Sequence, residues 1–411
     1  MKKLYFLLII MLLPIFGFAQ LEKKKFGINF TGYVKNDIIY DSRQTISPRE
    51  GHFLLFPDKP LLDKFDKDVN DSPNFNMLAI QTRLHGDIYG PDAFGAKTSG
   101  MMEAEFFGHS DADINGFRLR HAYIKFNWTN SELLFGQFWH PLFVTSCFAS
   151  TISFNTGAPF QPFSRNPQVR FTHKLGNFQF IGAAIAQRDF SSPGGSSLLR
   201  NSALPNLNAQ LHYTQKLPDG MITTGFAIDY KKIRPRLMTD SLYFTDNTVD
   251  GTSFLYFLKF QVPAFTFKFE YVRGQNMYDH MMLGGYAINE ISDISKNYLE
   301  YTPVQISSYW VDIHSNGEKF QAGVFAGYSA NDGTVKENNG IYSSRGKDIA
   351  YLYRISPRIV FNSGKARFAL ECEYTAAAYL QPGTSIDNFG IIDNSEVVGN
   401  IRLLMGVYYF F

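Results

Sequence analysis

The feature of this 411-residue chain that most constrains its fold is an alternation of apolar and polar residues with a period of two. In residues 206–214, four apolar side chains alternate with five polar ones, and the same pattern recurs in 265–271 and 367–375. This is the period of a β-strand whose two faces meet different surroundings. The sequence therefore predicts strands with one apolar face and one polar face.

The last strand carries the alternation to the final residue. Ile401, Leu403, Met405, Val407, Tyr409 and Phe411 form one apolar stripe. The ends of soluble chains usually fray, so a strand pattern at the very C-terminus is unusual for them. A final alternating strand that ends in Phe resembles the signal read by the outer-membrane assembly machinery. We therefore expect that machinery as a partner, through Phe411.

The whole pattern predicts an all-β fold, a transmembrane antiparallel β-barrel of about sixteen strands. Short and long connections alternate between the strands, as in barrels with turns on the periplasmic side and loops outside. Aromatic residues make up 16% of the chain and charged residues 18%, which fits a wall between lipid and water better than a soluble enzyme. The predicted strands cover residues 26–40, 74–89, 98–108, 117–128, 131–142, 166–175, 177–189, 206–216, 221–231, 252–261, 264–275, 303–313, 318–329, 349–361, 365–376 and 396–411.

The N-terminus has the organisation of a secretory signal peptide. Lys2 and Lys3 precede an apolar stretch at 4–18, and cleavage after Ala19 would leave Gln20 first. The alternative is an uncleaved anchor, although the stretch is short for spanning a bilayer. We expect a signal peptide at 1–19, one barrel domain at 20–411, and localisation in the outer membrane.

Charge and cysteine content exclude several classes of function. The formal net charge is +2, and the chain without its leader is near neutral, so no basic surface for nucleic acid is expected. Cys147 and Cys372 have no metal-type spacing, and we expect two free cysteines, with a disulfide as the alternative. The nine histidines form no HxxxH or HExxH pair, so neither a metal nor a cofactor is expected.

A barrel of this size encloses an aqueous channel unless something obstructs it. The loop 143–165 follows the fifth strand and is the candidate constriction, and it contains no Asp or Glu. Arginines at the lumen-facing positions of other strands would make the pore prefer anions over cations. Alternatively, they pair with Glu103, Glu105, Glu371 and Glu373 and leave the pore nearly unselective. The candidate pore-lining residues are Arg83, Glu103, Glu105, Gln137, Arg170, Arg354, Arg358, Arg367, Ser146, Ser150, Thr151, Ser153 and Asn155.

One strand does not sort cleanly into two faces. Arg118 and Arg120 share their parity with Ala122, Ile124 and Phe126. Either a bulge shifts the register, or the arginines lie at the outer rim, where they could meet lipopolysaccharide phosphates or a neighbouring subunit.

The stretch from about Asn76 to Phe143 resembles the DcaP-like family of outer-membrane porins. The resemblance is carried by QTRL at 81–84, GP at 90–91, EAEFFG at 103–108, RLRHAY at 118–123 and GQFW at 136–139, with further likeness in NPQVR at 166–170 and LPNL at 204–207. It implies trimers of sixteen-stranded barrels that admit small anions such as dicarboxylates. The family's type member has an extended N-terminal trimerising segment, whereas only a brief basic lead precedes the first strand here, so a trimer through such a segment is not expected. A homotrimer that associates through barrel walls is one alternative, and a monomer is the other.

The predicted function is passive diffusion of small polar, preferably anionic, solutes through a barrel surrounded by outer-membrane lipid and lipopolysaccharide. The first alternative is a barrel enzyme of lipid-hydrolase or protease type, for which His140 near Ser146 or His109 near Asp111 are the candidates. The second is an adhesin-like structural barrel. The segment 111–116 matches half of an EF-hand loop, but Ala122 occupies the position of the closing Glu, so a polar turn is expected.

Overall fold

The computed structural model describes residues 26–411, so the predicted signal peptide at 1–19 and the lead at 20–25 lie outside the described residues. Within 26–411, no helix is long and apolar enough to cross a membrane. The helical elements are short: α1 at Ser197–Asn201 and 3-10 turns at Asp111–Asp113 and Tyr278–His280.

Twenty-one strands make up most of the described chain. They are β1 Gly27–Asp41, β2 Thr45–Ile46, β3 Phe56–Pro57, β4 Asn74–Leu78, β5 Arg83–Tyr89, β6 Lys97–Glu105, β7 Arg118–Asn127, β8 Ser131–Trp139, β9 Arg165–Leu175, β10 Phe178–Ile185, β11 Asn206–Leu217, β12 Gly220–Ile233, β13 Val249–Gln261, β14 Phe265–Gln275, β15 Gly284–Asp293, β16 Tyr298–Ser315, β17 Phe320–Thr334, β18 Tyr342–Arg345, β19 Ile349–Ser363, β20 Ala366–Leu380 and β21 Ser395–Phe410.

The strands close into a sixteen-stranded antiparallel barrel, which confirms the predicted fold class. The segments β4 and β5 count as one interrupted strand, and the pair β2–β3 and the strands β15 and β18 stand apart from the wall. The first strand pairs with the last from Tyr33–Phe410 to Asp41–Arg402. The backbone of Phe411 adds two hydrogen bonds with Gly32, at 3.1 and 3.3 Å. Closure leaves no unpaired edge, as a barrel in lipid requires.

Apolar side chains of the strands face outward and polar side chains face the lumen, which is the reverse of the arrangement in a soluble protein. On β21, the apolar Ile401, Leu403 and Tyr409 are exposed, whereas Asn400 and Arg402 are fully buried. The same alternation holds along β11, β14 and β20, where the predicted polar faces point into the lumen. An exposed apolar belt around a polar lumen is stable in lipid and would aggregate in water.

A bulge resolves the mixed parity of β7. The pairing of β6 with β7 shifts between Glu103 and Ala104, whose partners are His121 and Leu119. Arg120 is therefore the extra residue. Both Arg118 and Arg120 are buried on the lumen side, so the bulge alternative is correct and the outer-rim alternative is wrong.

The long loops contain more structure than the sequence predicted. We expected a loop at 276–302, but β15 lies within it, and β16 begins at Tyr298 rather than at 303. The expected loop at 330–348 contains β18, which pairs with β15. These strands form a small sheet beyond the barrel rim. We call this side of the barrel the long-loop end and the opposite side the short-turn end.

Candidate functional site

The connection between β8 and β9, which we call the inner loop (residues 140–164), folds into the lumen as predicted. Glu371 on β20 accepts the backbone N–H groups of Ile152 and Ser153, the second at 2.8 Å. On β14, Nζ of Lys268 donates to the carbonyl oxygen of Phe148 at 2.8 Å. These hydrogen bonds hold the loop against the wall opposite its origin, so it crosses the barrel.

A notch in the wall accommodates the tip of the inner loop. A Cβ atom at Gly327 would lie 2.5 Å from the ring of Phe160, so only glycine leaves room for this buried ring. Beside it, Nη1 of Arg354 donates to the carbonyl of Ala158 at 2.9 Å. The amide of Asn155 donates to Glu373 at 3.0 Å. The wall and the loop are therefore matched in shape as well as in hydrogen bonding.

A second loop, residues 42–73, also enters the lumen, and the sequence analysis missed it. We call it the first loop. Its Phe53 side chain is 0% exposed, and Nε2 of His52 lies 2.9 Å from a carboxylate oxygen of Asp37 on β1. Arg354 binds this loop too, because its Nη2 donates to the carbonyl of Leu55 at 3.0 Å. The signal that could have identified it is the apolar run FLLF at 53–56 within an otherwise polar loop.

The two loops and the wall enclose an apolar core within the barrel. Trp139 stacks on Phe143 with ring centroids 3.9 Å apart, and Phe107 stacks on Phe154 at 4.1 Å. The core continues through Phe53, Phe160 and Phe163 of the loops to the wall residues Phe257, Trp310, Phe325 and Leu352. The inner loop obstructs the lumen as predicted, but it does so together with the first loop, and much of the interior is packed with apolar side chains.

The first of two cavities that adjoin the inner loop lies between that loop and the wall. Its volume is about 630 Å³, and its lining includes Tyr33, Phe410 and residues 148–154 of the inner loop. The charged side chains on its wall are four arginines and one carboxylate, Arg83, Arg120, Arg358, Arg367 and Glu103. The cavity thus has a basic surplus.

A network of charges forms part of this wall. Glu105 is fully buried and lies within 3.1 Å of guanidinium nitrogens of Arg118, Arg120 and Arg83. The bulge at Arg120 makes this possible, because it places both β7 arginines on the lumen side. The network extends to Arg165, which binds Asp189 at 2.8 Å. Arg83 is therefore paired with a glutamate of the wall, as the second alternative considered from the sequence had it.

Pairing does not extend to all the candidate arginines. Arg358 binds Asp312 at 2.9 Å, and Arg354 lies 3.7 Å from Glu373. In the described part of the chain, no carboxylate lies within 4.0 Å of the guanidinium of Arg170 or Arg367. Arg367 instead lies over the rings of Tyr408 and Phe410. Two of the five candidate arginines are thus without a counter-ion in contact.

The second cavity, about 470 Å³ in volume, lies on the other side of the barrel along β8–β12. Its polar lining comes from alternate residues of β9 and β11, including Arg170, Thr172, Gln210 and His212. Its charged side chains are Lys125, Glu132, Arg170 and Lys174. Phe138, Phe143 and Thr145 line both cavities, so the two adjoin each other at the root of the inner loop.

The structure divides the predicted pore-lining residues into three groups. Those on the first cavity are Arg83, Glu103, Ser150, Thr151, Ser153, Arg358 and Arg367. Ser146 and Arg170 line the second cavity. The others contact neither cavity: Glu105, Arg354 and Asn155 are fully buried among their hydrogen-bond partners, and Gln137 shares the face of the exposed Phe135.

Strand parity placed Glu105, Arg354 and Gln137 on the pore wall, whereas Asn155 was a candidate because it belongs to the predicted constriction loop. Parity cannot tell a residue that lines open space from one covered by a loop. It also fails near Gly136, whose φ of +132° departs from a regular strand. The sequence missed Arg120, Lys125, Lys174, Gln210 and His212 as lining residues, although the last two lie on a polar face that it identified.

A cluster of histidine and carboxylate side chains forms where the sequence showed no metal motif. Ligand atoms of His140, Asp229 and His280 all lie within 4.8 Å of one another. However, Nδ1 of His140 accepts the backbone N–H of Leu142 at 3.2 Å, so its Nε2 carries the proton and donates to Asn206 at 3.1 Å. Both nitrogens of His140 are therefore engaged in hydrogen bonds, and this arrangement leaves His140 no lone pair for a metal ion.

The contacts of His140 and Asp111 concern the two residue pairs that were candidates for an enzyme site. His140 is bonded to Asn206 and Leu142, and Ser146 lies on the second cavity. Asp111 accepts the backbone N–H of Arg49, at 2.6 Å, in a polar connection. Cys147 and Cys372 are free thiols, as expected.

Comparison with known proteins agrees with this architecture. Residues 21–225 match the model of the DcaP outer membrane protein family. The outer membrane channel DcaP of Acinetobacter baumannii has 18% identity and a TM-score of 0.67, over 94% of this chain and 97% of that one. The anion-selective porin from Comamonas acidovorans has 10% identity and a TM-score of 0.57, over 94% and 100%.

A trimer form of OmpT, an outer membrane protein of Vibrio cholerae, is also similar, with 12% identity and a TM-score of 0.53, over 94% of this chain and 99% of that one. No curated protein matches the chain. The closed barrel, the inward loop and the family match over residues 21–225 lead to one assignment. The chain belongs to the DcaP outer membrane protein family and is a porin channel of the outer membrane.

Proposed function

We propose that this channel passes small polar solutes by passive diffusion and prefers anions. The observation that supports this preference is the basic surplus on both cavity walls. The first has four arginines to one carboxylate, and the second has three basic side chains to one carboxylate. The inner loop contributes no Asp or Glu that could offset this surplus.

Basic side chains at a narrow point of a pore raise the local concentration of anions and repel cations. The contribution of each arginine depends on its counter-ion. Arg358 is largely neutralised by Asp312, whereas Arg170 and Arg367 have no carboxylate in contact within the described residues. These two arginines therefore account for most of the proposed preference, one in each cavity.

The similarity to the anion-selective porin from Comamonas acidovorans supports the proposal at the level of architecture. At 10% identity that likeness concerns the fold alone. It means that a barrel of this design is compatible with anion selectivity, while the selectivity of this chain depends on its own lumen residues.

We also propose partners for export, membrane insertion and assembly. The leader at 1–19 directs export, and the assembly machinery reads the final strand through Phe411. Lipid and lipopolysaccharide surround the exposed apolar belt, with the short turns toward the periplasm. The trimer form of the Vibrio cholerae neighbour supports a homotrimer that associates through barrel walls.

The test is single-channel conductance in a planar bilayer, with the reversal potential measured across a potassium chloride gradient. We expect stable stepwise conductance and a reversal potential of the sign that chloride preference gives. The variant with Arg170 and Arg367 both changed to Gln should conduct but lose most of that preference.

Two other outcomes would contradict the proposal at different levels. Cation preference of the wild-type channel would refute anion selectivity and leave the porin. Lack of conductance by correctly folded protein would refute an open diffusion channel, and the enzyme and adhesin alternatives would then come first.

A further inference from the structure

Arg170 on β9 differs from every other deeply buried arginine of the barrel strands. Its side chain belongs to a residue that is only 9% exposed, and no carboxylate of residues 26–411 lies within 4.0 Å of its guanidinium. The other buried strand arginines, Arg118, Arg120, Arg165, Arg354, Arg358 and Arg402, each have such a partner. A buried charge without a counter-ion is costly, so Arg170 is suited to bind an anionic partner from outside the chain.

The guanidinium is held in a fixed orientation. Its Nε donates to Gln168 at 2.9 Å, and its Nη2 donates to the backbone carbonyl of Trp139. The group also lies over the ring of Phe138, 5.2 Å from the centroid. Neither contact uses Nη1, which makes no hydrogen bond within the described residues and belongs to a side chain that lines the second cavity.

The surroundings of Arg170 offer donors and few free acceptors. The carboxylate of Glu132, on the same cavity, is bound by Lys125 at 3.1 Å. The Nε2 of Gln210 is buried without a partner, because His212 occupies the amide oxygen at 2.8 Å. Lys174 adds a second cation on the inward face of β9.

We infer that the second cavity is a binding site for the oxyanion group of a permeating solute, a carboxylate or a phosphate. Arg170 binds it through Nη1, while Gln210 and Lys174 supply further donors from the same cavity. A guanidinium suits this role because its planar donors match the oxygens of such groups. This inference rests on the proposed anion preference and adds a saturable site to it.

The test measures how inorganic phosphate blocks chloride current through single channels at pH 7 and constant ionic strength. In the wild type, phosphate should block in a saturable way. In Arg170→Gln, the half-blocking concentration should rise about tenfold, which corresponds to about 1.4 kcal/mol of lost binding free energy. The matched comparison is Arg367→Gln, which removes the other unpaired arginine from the first cavity and should change the half-blocking concentration much less than Arg170→Gln does.

A second variant keeps the test valid if Arg170→Gln does not fold. Gln210→Leu removes the unpartnered donor without touching a charge, and it should also weaken the block. Folding of each variant is checked by the heat-modifiable mobility of the barrel in gel electrophoresis.

The outcomes separate this inference from the proposed function. Chloride preference without saturable phosphate block would refute the binding site alone. Equal weakening by Arg170→Gln and Arg367→Gln would also refute it, since it would indicate a diffuse field. Cation preference of the wild type would refute the proposed function itself.

Discussion

His280 is a buried side chain with neither ring nitrogen in a hydrogen bond. Only 1% of the residue is exposed, in the connection that follows β14. Its neighbours are Asp279, Asp229 and His140, and the ammonium of Lys231 binds Asp279. Burial lowers the pKa of His280 from 6.5 to about 3, and that of His140 to about 4. Both histidines are therefore neutral in the folded protein at neutral pH.

A pH dependence of stability follows from these shifts. Because the folded pKa of His280 is lowered, the unfolded state binds the extra proton first, and stability is lost as the pH falls below 6.5. At pH 5 this amounts to about 2 kcal/mol for one such histidine. We expect the free energy of unfolding, measured with urea in detergent, to fall between pH 7.5 and pH 5.

The matched variants for this prediction are His280→Leu and His109→Leu. The first removes the buried group and should flatten the pH dependence, while the second removes an exposed histidine and should not. An unchanged pH dependence in His280→Leu would show that His280 is not neutral and buried in the folded state.

At the scale of elements, the strands were predictable and the lumen was not. Alternation identified β11, β14, β20 and β21 because each face of a strand meets one medium along its whole length. The sequence offered a bulge near Arg120 as one of two alternatives but could not choose between them, and it did not identify the small sheet of β15 and β18, because both depend on how the strands pair with one another. For the same reason, parity found Arg170 on a cavity but could not show that Arg354 lies beneath two loops.

The inward position of the first loop leads to a prediction about pore size. Phe53 packs against Phe163 and Phe154, with ring centroids 5.0 and 5.5 Å apart. Truncation of such a ring to Ala typically costs about 3–5 kcal/mol of packing free energy. We expect Phe53→Ala to loosen the first loop and raise single-channel conductance and its noise, while the barrel keeps its heat-modifiable mobility.

The control for this loop is Phe94→Ala, which removes a ring that is 85% exposed in the turn between β5 and β6. It should leave conductance unchanged. If Phe53→Ala conducts like the wild type, the first loop does not limit the pore.

At the scale of the whole molecule, the barrel wall separates an apolar outer surface from the cavities and the apolar core inside the barrel. Apolar side chains are exposed on the outer face of the wall, two cavities adjoin the inner loop, and the loops add an apolar core inside the barrel. The core is a reason for the long first and inner loops, since inward apolar wall residues such as Phe257 and Trp310 would otherwise face water. The core leaves the cavities beside the inner loop as the space through which the proposed permeation of solutes would proceed, and basic side chains outnumber carboxylates on their walls.

The lipid-facing surface permits a test of how the barrel lies in the bilayer. Leu403 is exposed near the middle of β21, and Tyr409 is exposed on the same face near the end of the strand. A charge on the lipid face costs about 2–4 kcal/mol at the bilayer midplane and about 0–1 kcal/mol near the interfaces. Leu403→Arg should therefore reduce the free energy of folding into vesicles much more than Tyr409→Arg does. Equal effects would mean that the middle of β21 is not at the membrane centre, which would contradict the assignment of the short turns and long loops to opposite sides.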